Sequence, residues 1–216
     1  MVGNNKIMIL FQNREEAGEQ LAQLLKDYQN TETIVYALPR GGVILGKIIA
    51  EKLKTPLDLI IVRKIGHPSN PEYAIGAISE NGATLYNETE KESQDQAWLK
   101  QEEAKEQAEA IRRRHRYLPE KKMISAKNKI ALLVDDGIAT GLTMLLAIKE
   151  IKKQKPKKII VAIPVIPGDT LIKLQANADK VIFIEAPQLF LGAIGAYYSD
   201  FSQLADETVI SILKNN

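Results

Sequence analysis

Cysteine is absent from the 216-residue sequence. Disulfides, thiolate metal sites and cysteine nucleophiles are thereby excluded together, and a reducing cytoplasm is an easy fit. Histidine is nearly as scarce: only His67 and His115 occur, which rules out a histidine-rich metal centre. No apolar stretch approaches the length of a membrane span. The short run Ile7 to Phe11 has neither the length nor the small-residue cleavage site of a secretion signal. The expectation is a soluble, unsecreted, cytoplasmic protein with no membrane partner. Neither sign of charge dominates, with 29 Lys and Arg against 27 Asp and Glu. A global field that would gather nucleic acid is missing, and any anion site has to be local.

What is present reads as one globular α/β domain over residues 1–216. Hydrophobic residues make up 45% and charged residues 26%, the balance of an ordinary folded protein. Short β-branched runs alternate with amphipathic stretches, the pattern of an open, mainly parallel sheet flanked by helices. Strands are predicted at Thr33 to Leu38, Leu57 to Val62, Lys129 to Val134, Lys158 to Ile163 and Lys180 to Ile184. Their nearly continuous apolar runs predict burial on both faces. Helices are predicted at Arg14 to Gln29, Val43 to Leu53, Leu142 to Gln154 and Thr170 to Ala176.

An insertion over residues 66–128 interrupts this rhythm. Tyr73 to Ser79 and Ala83 to Tyr86 flank Glu80, Asn81 and Gly82 as a hairpin does. Glu88 to Tyr117 is strongly charged, with a thin stripe of Ala97, Ala104, Ala108 and Ile111, and predicts a long, largely solvated helix. Together the two parts read as a mobile flap over a site.

The most informative segment runs from Val134 to Thr143. A strand ends in Asp135 and Asp136, and Gly137, Ile138, Ala139, Thr140, Gly141, Leu142 and Thr143 lead into a helix. Glycines let the backbone approach a phosphate closely, helix-start N–H groups point at it, and Thr140 and Thr143 add hydroxyls. Two carboxylates beside a phosphate repel it unless they serve another group, and sugar hydroxyls are the natural donors for them. Phosphate plus diol describes ribose 5-phosphate. The Walker A lysine and the dinucleotide glycine spacing are both missing.

Upstream, Thr33 to Leu38 ends in Pro39-Arg40-Gly41-Gly42. This second glycine turn offers backbone N–H groups, and the Arg40 guanidinium suits a pyrophosphate. Arg63 and Lys64 follow the next strand, with Lys64 the better placed by strand alternation.

Val134-Asp-Asp-Gly-Ile-Ala-Thr-Gly-Leu-Thr143 resembles the motif by which type I phosphoribosyltransferases bind 5-phosphoribosyl-1-pyrophosphate (PRPP). The Pro39 to Gly42 turn is similar to the pyrophosphate loop of that family. Val62 to Gly82 resembles a group of predicted phosphoribosyltransferases with poorly defined acceptors. The resemblance implies transfer of the phosphoribosyl group to a nucleobase or similar nitrogen acceptor, with release of pyrophosphate. It further implies a catalytic role for Asp135, Asp136 and Lys64, binding by Arg40, Gly41, Gly42 and the Gly137 to Thr143 loop, and a homodimer. Mg2+ would be held mainly by PRPP oxygens and water, with Asp135 and Asp136 helping indirectly. Where 6-oxopurine enzymes carry an aspartate, Ala139 stands, which argues against hypoxanthine or guanine.

Two segments leave alternatives open. Aromatics of the C-terminal hood, Pro187 to Phe201, either stack on the acceptor base through Tyr197, Tyr198 and Phe201 or pack against the core. The run Arg112 to Arg116 is read as a solvated helix face, with Glu109 supporting Arg113. Its alternative is an RNA-binding, PRPP-sensing regulator; a silent scaffold on the same fold is a third possibility.

Overall fold

A computed structural model describes residues 9–119 and 121–214, so Ile7 and Met8 of the N-terminal apolar run lie outside it. A five-strand parallel sheet has the order β2-β1-β6-β7-β8, formed by Leu57–Leu59, Thr33–Ala37, Ile130–Val134, Lys158–Val165 and Lys180–Glu185. Alternation explains why these strands are apolar throughout. Val35, Ala37, Leu132, Val134, Ile160 and Ala162 enter one buried cluster, while Ile34, Tyr36, Ala131, Leu133, Val161 and Ile163 enter the other. Helices α1 (Arg14–Leu24), α2 (Gly42–Leu53) and α7 (Asp206–Lys214) cover the first face; α5 (Leu142–Lys152) and α6 (Gly168–Gln175) cover the second. Truncating a fully buried residue such as Leu133 to alanine would cost about 2–5 kcal/mol.

The chain between β2 and β6 builds a second sheet, which begins at Val62, ahead of the expected start of the insertion at residue 66. Antiparallel strands β3 (Val62–His67), β4 (Asn70–Ser79) and β5 (Thr84–Tyr86) are followed by α3 (Glu88–Glu92) and α4 (Gln96–Tyr117). Its own small core comprises Ile65, Ile75, Ile78, Tyr86 and Leu99, with Trp98 against it.

Three expectations need correction. Leu57 to Val62 is not one strand: β2 ends at Leu59, the chain passes Ile60 and Ile61, and β3 starts the other sheet. Helix α1 stops at Leu24, and Lys26–Tyr28 forms a separate 3-10 turn. The charged segment is two helices, and Ala97, Ala104, Ala108 and Ile111 are exposed on α4. Its buried face instead carries Leu99, Glu106, Ala110, Arg113 and Tyr117. That face is legible only once its charges are paired, because Glu106 receives Arg63 at 2.7 Å and Arg113 donates to Glu109 at 2.7 Å. Among the described residues, no helix is long and apolar enough to cross a membrane.

Candidate active site

Strands β1 and β6 are neighbours in the sheet, so the turns that follow them meet at its C-terminal edge. Open parallel sheets place their ligand sites there. The Leu38 N–H donates to the Val134 carbonyl at 2.9 Å, extending the pairing to the base of both turns. The Pro39–Arg40 peptide is cis, and Gly41 and Gly42 begin α2 directly against the acidic pair. A Cβ on Gly41 would lie 1.7 Å from Asp136 Oδ2, and one on Gly42 would lie 2.7 Å from the Val134 carbonyl oxygen. Only glycine fits where the first turn crosses the second.

Gly141 caps α5 with φ 81°, a left-handed conformation that an L side chain resists. No side chain caps this helix, so its first N–H groups have no partner within the helix itself. The Ile138 N–H donates to the Val165 carbonyl at 3.1 Å, and Thr170 donates its hydroxyl to the Ala139 carbonyl at 2.8 Å. The loop is thus fixed from β7 and α6. A cavity of about 370 Å³ lies above it, lined by Lys64, Glu72, Ala74, Asp136, residues 137–141, Thr143, Ile194 and Phe201.

The structure therefore brings Asp136, Gly137, Ile138, Ala139, Thr140, Gly141, Thr143 and Lys64 to one cavity. Asp135, Gly41 and Gly42 pack at its base, and Leu142 turns to an adjoining cavity of about 690 Å³ shared with Tyr73, Tyr86 and Phe190. Arg40 stands at the turn, 31% exposed, with its guanidinium 3.9 Å from Asp206. Arg63 points away from the loop to Glu106 at 2.7 Å, whereas Lys64 meets Glu72 at 2.8 Å on the cavity wall.

Electrostatically, the two acids are unequal. Asp136 is anchored by Arg14, whose Nε donates at 2.7 Å. Arg14 also donates to the Ser202 carbonyl at 2.9 Å and lies 3.8 Å above the centre of the Phe201 ring. Burial, and then the Asp136 charge, push Asp135 well above the usual carboxylate range, although it accepts the Asp136 N–H at 2.9 Å. Asp136, held by Arg14, is the acid that faces the cavity. These hard oxygen donors are too few to cage an ion: among the described residues, no group of three or more His, Cys, Asp or Glu is arranged as a metal site. They fit Mg2+ that arrives on a phosphate ligand and keeps part of its water.

Arg14 and Asp206 are the residues that sequence reasoning missed. Each acts across the fold, Arg14 on a carboxylate 122 positions away, and no local motif marks them.

Of the two alternatives for the hood aromatics, Tyr198 takes the packing one. It is 4% exposed, packs on Phe11 and Phe201 at 5.1 and 4.8 Å between ring centres, and donates to the Asp136 carbonyl at 2.7 Å. It supports the acidic turn and does not stack on a base. Tyr197 is also buried, accepting the Leu191 N–H at 3.0 Å, and Phe201 alone of the three lines the cavity.

The basic run is a solvated face only in part: Arg112, His115 and Arg116 are exposed, whereas Arg113 is buried and Arg114 half-buried. Arg112 and Arg113 bind Glu109, holding its carboxyl down at about 2 chiefly through the Arg112 hydrogen bond. Arg114 reaches Glu80 at 2.7 Å, the Leu59 carbonyl at 2.8 Å and Asp58 at 3.3 Å. Arg116 pairs with Glu207 and Asp206. Each of the four arginines of the run is thus paired with a carboxylate of the chain itself.

The phosphoribosyl transferase domain family matches residues 9–199. The chain belongs to the phosphoribosyl transferase family. A curated Mycobacterium tuberculosis protein, provisionally named a phosphoribosyl transferase, is 37% identical over 208 residues, covering 95% of this chain and 47% of that protein. The chain therefore spans about half the length of the curated relatives it matches. A crystal structure of a Thermus thermophilus protein shares the fold at a TM-score of 0.77 and 36% identity, covering 95% of this chain and 98% of the other. Family membership and the flanked parallel sheet agree with the expectation drawn from Val134 to Thr143.

Proposed function

We propose that the chain transfers the 5-phosphoribosyl group of PRPP to a nitrogen acceptor and releases pyrophosphate. The observation that carries this reading is the meeting of two glycine turns around an acidic pair, with Lys64 across the cavity. In the reading, Thr140, Thr143 and the first N–H groups of α5 hold the 5-phosphate. Asp135 and Asp136 take the ribose hydroxyls, while Gly41, Gly42, Arg40 and Lys64 receive the pyrophosphate.

As the acceptor nitrogen attacks C1, the bond from C1 to pyrophosphate breaks and its electron pair leaves with the pyrophosphate. Positive charge grows on the sugar ring, and the ionised Asp136 supplies a preorganised negative charge beside it. Lys64, on leaving Glu72, supplies positive charge to the departing group. Bound Mg2+ would offset pyrophosphate charge, and Asp135 and Asp136 are placed to meet it through ribose oxygens or water. The hairpin of β3 and β4, within the inserted flap, would close over the sugar and keep water out.

Ala139 has no side-chain proton partner for a base. Acceptors other than 6-oxopurines are favoured accordingly. A homodimer working in the cytoplasm completes the reading.

Titration calorimetry with PRPP and Mg2+, followed by a pyrophosphate-release screen across nucleobases and small amines, tests it. Binding with acceptor-dependent release supports the transferase. Absence of PRPP binding overturns it, and binding without release across the whole screen would point to a sensor.

A further inference from the structure

Three arginines from two distant segments converge on one carboxylate at the start of α7. Asp206 Oδ2 receives Arg112 at 2.8 Å and Arg116 at 3.3 Å, while Oδ1 accepts the Tyr117 hydroxyl at 2.5 Å and stands 3.9 Å from Arg40 Nη1. Burial alone would raise the Asp206 pKa, but hydrogen bonds from Tyr117 and Arg112 and the neighbouring arginine charges more than offset it. The carboxylate is 11% exposed and is held by a helix that packs on both α2 and α4.

The four contacts differ in kind. Tyr117 and Arg112 hydrogen-bond the oxygens and Arg116 pairs with them at 3.3 Å, whereas Arg40 is attracted at a separation too long for a hydrogen bond. Arg40 therefore gains an electrostatic anchor without committing a hydrogen bond to Asp206. Arg112 and Arg116, although shared with Glu109 and Glu207, offset part of the Asp206 charge and so lessen its repulsion of an anion at the glycine turn.

We infer that Asp206 is a positioning residue for Arg40, fixing the guanidinium beside Gly41 and Gly42 for an anionic ligand. This rests on the reading of that turn as a pyrophosphate site. It assigns the end of the basic run a role in the site at a distance: Arg112, Arg116 and Tyr117 hold Asp206, and Asp206 holds Arg40. An untethered arginine has to be ordered when the ligand binds, which weakens affinity by about three- to tenfold.

The test is a double-mutant cycle read by calorimetry with two probes, Mg2+-pyrophosphate and ribose 5-phosphate. Asp206→Asn keeps the shape and an acceptor for Tyr117 but removes the charge. Its pyrophosphate affinity should fall by about three- to tenfold with ribose 5-phosphate affinity unchanged. In an Arg40→Ala background the same substitution should have no further effect, and Asp206→Glu should recover most of the loss. If Asp206→Asn does not fold, Arg112→Gln with Arg116→Gln leaves Asp206 held by Tyr117 beside Arg40; pyrophosphate affinity should then fall more than ribose 5-phosphate affinity, and only when Arg40 is present. Unchanged pyrophosphate affinity, an equal loss for both probes, or the same loss without Arg40 would each overturn the inference while leaving the transferase reading intact. A wild-type protein that binds neither probe removes that reading, and this inference with it.

Discussion

Burial and the Asp136 charge raise Asp135 well above an ordinary carboxylate, and the consequence for stability has a definite sign. An acid whose folded pKa is raised binds its proton more tightly folded than unfolded. Between the ordinary value of about 3.9 and the raised one, stability falls as pH rises, and above the raised one the loss is complete. Asp135→Asn removes this penalty and retains an oxygen for the Asp136 N–H. Its thermal midpoint at neutral pH should exceed that of the wild type, by about 2–4 °C for each kcal/mol relieved, and its pH profile should be flatter. PRPP affinity should fall in the same variant, separating stability from function at one residue. Arg14 behaves oppositely. With side chains only 9% and 15% exposed, the Arg14–Asp136 pair cannot lose its cation cheaply. Arg14→Met should destabilise by about 3–5 kcal/mol in urea titration, because it strands a buried carboxylate.

Among the elements, α4 depends most on paired charge. Arg114 ties its C-terminal end to Asp58, which is 3% exposed and also accepts the Leu59 and Ile124 N–H groups at 2.6 and 2.5 Å. Arg114→Met should cost about 3–5 kcal/mol, measured as a lower urea midpoint, whereas His115→Gln, at an exposed position, should leave the midpoint within about 0.5 kcal/mol. The same pairing explains what could be read from the sequence. Thr33 to Leu38 and Lys129 to Val134 were legible because both faces of each strand are apolar, and the phosphate turn because its residues are contiguous. The buried face of α4 was not, since Glu106 and Arg113 look solvent-exposed until Arg63 and Glu109 are placed beside them. Likewise Leu57 to Val62 is apolar throughout, and nothing in that run says that the chain changes sheets after Leu59. Arg14 and Tyr198 meet Asp136 only through folding, so sequence could locate the acidic pair but not what holds it.

At the scale of the whole molecule, the two sheets differ in how firmly they are held. The parallel sheet is buried on both faces, whereas β3, β4 and β5 share a small core of five buried residues and the first residues of β4 are exposed. Strands with few buried contacts open more readily, so amides of β3 and the first half of β4 should exchange hydrogen faster than those of β1 and β6. If the hairpin closes over PRPP, ligand must change that order. On the proposed reading, PRPP with Mg2+ at a hundredfold excess over its Kd would stabilise the folded state by about 2.7 kcal/mol, equivalent to roughly 5–10 °C in the thermal midpoint. Global stabilisation alone would leave local openings of the hairpin as they were. Closure predicts added protection at Val62 to Ser79 beyond that global gain, because Lys64 exchanges Glu72 for the ligand and draws the hairpin onto the phosphate turn. A midpoint that rises while hairpin exchange stays fast would show that PRPP binds without the flap.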